Sequence, residues 1–291
     1  MQSSTCLRQW NLLNALLRPG RLLGVLLVLC NTGALCYGQG NLLLTPRRIV
    51  FEDGKRHSEM NVANTGTDTA RYVISLVEMR MKEDGSFEAI TEPDPGQNFA
   101  SSHLRFFPRS VLLGPKEAQL IKVQVRDMGK LAEGEYRSHI YLRAVPELKP
   151  LGSAPPPEDS TTISVKLTAV FGFTIPVIIR VGAYDTKMEI KDVSFNILND
   201  TMPTLSMSLH RTGKMSVYGD LSVDHVAIDG TTKNIYLAKG LAVYTPNTKR
   251  QVKLNLGEIT EADYHSGTLK ILYTEHADAK KKLAEAEIKL E

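Results

Sequence analysis

Beyond residue 36 the 291-residue sequence contains no cysteine: Cys6, Cys30 and Cys36 all lie near its start. A chain cut after them has neither a disulfide nor a thiol site, so packing alone must hold its fold. Histidine offers as little chemistry. The seven histidines (His57, His103, His139, His210, His225, His265 and His276) are scattered, with no pair at metal-ligand spacing and no HExxH motif. A G-x-S-x-G elbow and a phosphate-cradling glycine loop are missing too. Asn64-Thr65-Gly66 has the outline of an aspartic-protease triplet but lacks the carboxylate that chemistry requires. These absences argue against an enzyme, and the reading is of a protein with no cofactor, no metal and no small-molecule substrate.

Acidic residues are missing from the first forty positions, which carry Arg8, Arg18 and Arg21, an apolar run from Leu22 to Cys30, and small residues around Gly33, Ala34 and Gly38. That pattern predicts a secretory signal peptide over residues 1–38. Its apolar core falls far short of the roughly 20 residues that span a bilayer, so a soluble exported protein is expected. Leu35 is too large for the usual lipoprotein pattern at Cys36. Without the three leader arginines, the 35 basic residues become 32 and balance the 32 acidic ones. Such a chain has no basic field to attract nucleic acid.

From Asn41 onward short alternating runs are broken by turn signals, among which Asp53-Gly54, Asp84-Gly85 and Asp229-Gly230 have the form of hairpin dipeptides. Strands are predicted at Arg48 to Phe51, Met60 to Ala63, Ala70 to Met79, Ile121 to Val125 and Tyr136 to Val145. About seven such runs suggest a sandwich over residues 41–182. The stretch "PELKPLGSAPPPEDS" (Pro146 to Ser160) should be an exposed loop. A second series covers Lys187 to Phe195, Leu205 to His210, Leu221 to Ile228, Ile235 to Tyr244, Gln251 to Leu256 and Leu269 to Tyr273, enough for a smaller sandwich over 183–291. The tail "KKKLAEAEIKLE" has helical composition, but Ala284, Ala286, Ile288 and Leu290 alternate with charged partners, so it is read as a strand.

The segment "TISVKLTAVFGFTIPVIIRV" (Thr162 to Val181) stands apart, because every odd position from Ile163 to Val181 is apolar. As one strand it would span roughly 65 Å, where an ordinary strand has about five or six residues. Pro176 removes a ladder donor and so favours an edge or a bulge, and Gly172 suggests a bend. An exposed apolar edge is an aggregation hazard that proteins normally blunt, so one that is retained calls for a partner.

With these residues in view, the chain resembles the periplasmic pilus-assembly chaperones of the chaperone-usher class. The resemblance rests on the order of "TPRRIVF" (Thr45 to Phe51), "VANTGTDTARYVI" (Val62 to Ile74), "RFFPRSVLLGPKEAQLIKVQV" (Arg105 to Val125), "YLRAVP" (Tyr141 to Pro146) and the long strand ending at Arg180. It implies an all-β protein of two immunoglobulin-like sandwiches in an L arrangement, working in the periplasm. It also implies donor-strand complementation, in which the chaperone lends its long edge strand to a pilus or fimbrial subunit lacking one strand and delivers it to an outer-membrane usher. The lent part would be Ile163, Val165, Leu167, Ala169 and Phe171. Self-association through that edge is a further expectation for the free protein.

In the family two basic residues hold the subunit's C-terminal carboxylate. The arginine matches Arg48, but the lysine falls on Pro176, which carries no charge, leaving Arg47 or Lys166 as substitutes. An ionic cluster that orients the two domains matches Glu135, Arg180 and Asp263. As exposed pairs these would contribute only ~0 to 1 kcal/mol, so Arg180→Ala is expected to loosen the domains with little loss of melting temperature. Two other readings share the architecture. One is a structural envelope or fibre component, which should carry a free N-terminal donor extension. The other is a chaperone-like protein with non-pilin cargo, a reading that the missing lysine keeps open.

Overall fold

Ile121, Val123 and Val125 are buried while Lys122 and Gln124 between them face solvent, and this two-residue rhythm governs the chain. The structure, a computed structural model, describes residues 42–146, 170–198, 202–257, 264–277 and 281–290. The first strands are β1 (Leu42–Thr45), β2 (Ile49–Phe51), β3 (His57–Asn64), β4 (Ala70–Met81), β5 (Phe87–Ile90), β6 (Leu104–Phe107), β7 (Ser110–Leu113), β8 (Ala118–Val125), β9 (Gly134–Val145) and β10 (Gly172–Val181). Then follow β11 (Lys187–Leu198), β12 (Met202–Thr212), β13 (Val217–Val226), β14 (Thr232–Val243), β15 (Lys249–Asn255), β16 (Thr268–Glu275) and β17 (Lys282–Lys289). The described residues include two 3₁₀ turns and no α-helix.

These strands build two β-sandwiches. In the first, the sheet β1-β3-β8-β6 packs with the sheet β2-β10-β9-β4-β5, on which β7 pairs with β4. Phe51, Met60, Ile121, Ile140, Leu142 and Val177 lie in its core. The second combines β11-β12-β15 with β14-β13-β16-β17 around Leu209, Leu221, Val243, Ile271 and Tyr273. Alternation along β10 serves both. Val177 and Ile179 point into the first core, whereas Ile178 between them joins the second cluster, together with Met81 and Val50.

The sandwiches also meet through the β4–β5 hairpin, which reaches onto the β14–β15 connection. Asn247 Nδ2 donates to the Met81 carbonyl at 2.7 Å and the Gln251 amide to the Glu83 carbonyl at 2.7 Å. At the hairpin tip a Cβ on Gly85 would meet Arg250 Nη2 at 2.3 Å, and the backbone there has φ +84°. The positive φ is what favours glycine here, since the guanidinium is the movable end of a long side chain.

Most of the expected strands are present, including the tail as β17. The strands that were not expected, β1, β5, β6 and β7, each have four residues, too few for a period to register. Asp84-Gly85 and Asp229-Gly230 close hairpins, with Gly85 N–H bonded to the Lys82 carbonyl at 2.9 Å and Gly230 N–H to that of Ala227 at 3.0 Å. Asp53-Gly54 does not. Both residues have positive φ, but the turn carries the chain from β2 in one sheet to β3 in the other. Asn64, the asparagine of the protease-like triplet, is fully buried. Its amide donates to the carbonyls of Asp68 (2.7 Å), Leu113 (3.1 Å) and Gly114 (3.1 Å) and accepts from Gly66 N–H (2.9 Å), so it is a loop tie.

Candidate functional site

β10 is the described half of the long apolar segment. It pairs with β9 along all its residues, from Gly172 opposite Arg143 to Val181 opposite Gly134. Among the described residues its other side is covered by β2, in parallel, at Val177, Ile178 and Ile179. Among the described residues the flank from Gly172 to Pro176 therefore has no strand beside it, and Pro176 sits where the cover begins. A missing N–H is tolerated at such an edge.

The apolar face of β10 runs out of the core along this flank. Ile175 is 2% exposed, Phe173 38% and Phe171 58%. The Phe171 carbonyl still accepts from the Ala144 amide at 3.0 Å, so the extended pairing continues past the strand's first residue. Gly172 is not a bend. A Cβ there would meet Tyr141 Cε2 at 2.2 Å, and its absence lets that ring lie against the strand. Ile163, Val165, Leu167 and Ala169, the rest of the expected donor segment, lie outside the described residues, as does Lys166.

Arg48 stands immediately before β2, where the open flank ends. Its guanidinium lies 4.5 Å from the Tyr218 ring centre and 5.7 Å from that of Tyr244, and its Nε is buried without a hydrogen-bond partner. A charge held by aromatic faces is partly compensated yet keeps its donors free. Burial pushes the Tyr244 phenol up, so the ring beside Arg48 and Arg137 stays neutral.

Arg48 lines a cleft of about 550 Å³ whose walls also include Arg47, Arg180, Tyr218, Lys239, Glu275 and His276. Of its four basic side chains Arg180 is paired with Glu135 and Glu52, which leaves Arg47, Arg48 and Lys239 beside the single lining carboxylate of Glu275. Such an excess suits an anion.

Arg180 spans the two sandwiches. Its Nε donates to Glu135 Oε2 at 3.2 Å, Nη1 to Glu52 Oε2 at 3.2 Å and Nη2 to the Ser216 carbonyl at 2.9 Å. Glu135 accepts further bonds from Ser216 N–H (2.9 Å), Ser216 Oγ (2.7 Å) and Thr245 Oγ1 (3.2 Å), all from the second sandwich. The expected surface pair is thus a buried hub, because β9 and β10 carry both residues into the junction. Asp263 lies outside the described residues. Tyr218, Tyr244, Ser216 and Thr245 were not legible as site residues, since neutral side chains in a strand or beside its end form no charge pattern or motif.

Among the described residues no group of His, Cys, Asp or Glu is placed to hold a metal ion, and no helix is long and apolar enough to cross a membrane. The fold and site define a class: two all-β sandwiches sharing a cationic cleft at the end of an open sheet edge. No protein-family model matches the chain, and no curated protein matches it. Among solved structures it is similar to the YadV chaperone, at 13% identity and a TM-score of 0.43 over 86% of this chain and 99% of that one. It is similar to the CupB2 chaperone of Pseudomonas aeruginosa at 10% identity and a TM-score of 0.41, over 86% and 100%. A third similarity is to the CsuC-CsuE chaperone-tip adhesion subunit pre-assembly complex from the archaic chaperone-usher Csu pili of Acinetobacter baumannii, at 10% identity and a TM-score of 0.39, over 73% and 89%. Likeness at this level transfers no residue role.

Proposed function

We propose that this protein is a periplasmic chaperone that caps incomplete immunoglobulin-like pilus subunits by lending them its long edge strand, and that it delivers them to an outer-membrane usher. The N-terminal sandwich (41–182) offers the strand, and the C-terminal one (183–291) completes the cleft. The observation that carries this reading is the one-sided pairing of β10 from Gly172 to Pro176 beneath the exposed rings of Phe171 and Phe173. An unpaired row of backbone groups with apolar side chains above it is a template for another chain.

The position of Arg48 adds a direction. A strand added along this flank abuts β2 end-on, and a carboxylate meets Arg48 only if the guest runs parallel to β10, as β2 does. Upstream, Ile163, Val165, Leu167 and Ala169 continue the alternation in sequence. At about 1.5 to 3 kcal/mol per large buried side chain, four or five would contribute on the order of 10 kcal/mol before association costs. A complex of that strength is firm and still exchangeable.

The test is periplasmic co-expression with a pilin that lacks its last strand and is encoded beside this protein's gene, reading the soluble pilin retained. Val165→Asp and Leu167→Ser should abolish retention and leave the free protein folded. Unfolding of those variants would assign the side chains to the protein's own core, and a pilin equally soluble without the chaperone would overturn the reading.

A further inference from the structure

β14 does not run evenly against β13. Gly219 pairs with Leu241 and Leu221 with Ala238, so Lys239 and Gly240 together stand opposite the single residue Asp220. This is a β-bulge, a device that re-aims a side chain. Gly240 has φ +72°, and a Cβ there would meet the Tyr218 hydroxyl at 2.5 Å. Buried Asp220 fastens the bulge, accepting from Gly240 N–H at 2.9 Å and lying 2.6 Å from His276 Nδ1. The Tyr218 ring against which Gly240 packs is the one that carries Arg48.

The bulge therefore serves the cleft. Lys239 lines it together with Arg48 of the first sandwich. Among the described residues Lys239 forms no ion pair and no hydrogen bond, while Asp220 is already engaged by Gly240 and His276. Arg180 is occupied by Glu135, Glu52 and the Ser216 carbonyl. Among the described residues three cations of this cleft are then without an ion pair, Arg47, Arg48 and Lys239; Arg48 is clamped by aromatic rings, Lys239 stands on the fastened bulge, and Arg47 has neither support.

We infer that Lys239 is the second cation of the anion site, completing with Arg48 a clamp for the terminal carboxylate of a bound chain. This rests on the strand-capping reading above. Neither Pro176 nor a neighbour on β10 then needs to supply charge, because the second sandwich supplies it. Carboxylate affinity thereby depends on residues from both sandwiches.

The probes are a short synthetic peptide of alternating apolar residues with a free C-terminal carboxylate and its C-terminal amide. Binding to the full chain is measured by calorimetry at low and moderate salt. The wild type should prefer the acid by tenfold or more, the range of one charge-assisted hydrogen bond. Lys239→Met should remove most of that preference and flatten its salt dependence without changing the amide's affinity, and Lys239→Arg should restore it. The unchanged amide affinity separates a clamp from a fold defect. An acid preference that survives Lys239→Met overturns the assignment and leaves the capping function standing. Failure of the wild type to bind either peptide overturns both.

Discussion

Arg180 Nε stands 3.2 Å from Oε2 of Glu135, and that carboxylate has no exposed side-chain surface. The pair is desolvated, so the small value of an exposed salt bridge does not apply. Removing one partner leaves a buried charge without its counter-ion, which typically costs about 3 to 5 kcal/mol. Ser216 and Thr245 still serve Glu135, placing Arg180→Ala at the lower end. The expected result is a loss of about 3 kcal/mol in urea unfolding, with a clear drop in melting temperature. A midpoint within a degree of the wild type would show that the hydroxyls alone satisfy Glu135.

His139 gives the protein a built-in sensitivity to acid. Burial, reinforced by the neighbouring Arg137 charge, pulls its imidazole down to about 3, and its Nδ1 has no partner. The unfolded chain accepts a proton near pH 6.5 that native His139 refuses. Its contribution is therefore intact above that pH and is lost as pH falls toward 3, by up to ~1.4 kcal/mol per pH unit. His139→Leu should flatten the fall of the urea midpoint between pH 6.5 and pH 4.5, and an unchanged slope would contradict the assignment.

Ile175 on β10 and Phe171, just before that strand on the same apolar row, should behave in opposite ways. Ile175 is closed in the first core, and Ile175→Ser should cost roughly 2 to 4 kcal/mol of stability. Phe171 is exposed on the open flank, and Phe171→Ser should leave stability within about 0.5 kcal/mol while reducing retention of a truncated pilin. Equal destabilisation by both would place Phe171 in the core.

How much of this was readable in the sequence follows from where periodicity is strong. Runs such as Ile121 to Val125 and Ala284 to Leu290 alternate strictly, and strands appear there as β8 and β17. Asp53-Gly54 carried the right turn chemistry, but a dipeptide specifies a local reversal and not the sheet in which the next strand lands. Glu135 and Arg180 were identifiable as partners only through family resemblance. Their burial was not, because it depends on Ser216 and Thr245, distant in sequence. The Lys239 bulge had one signal, a glycine inside an alternating run, which marks a bulge but not what it aims.

The hairpin tip at Gly85, seated against Arg250, braces one sandwich on the other with backbone hydrogen bonds as well as side chains. A hinge would have to break the Gln251–Glu83 and Asn247–Met81 bonds before it could swing. In the proposed function the cleft walls would therefore keep their spacing before a guest arrives, and association would not spend binding energy on assembling its own receptor.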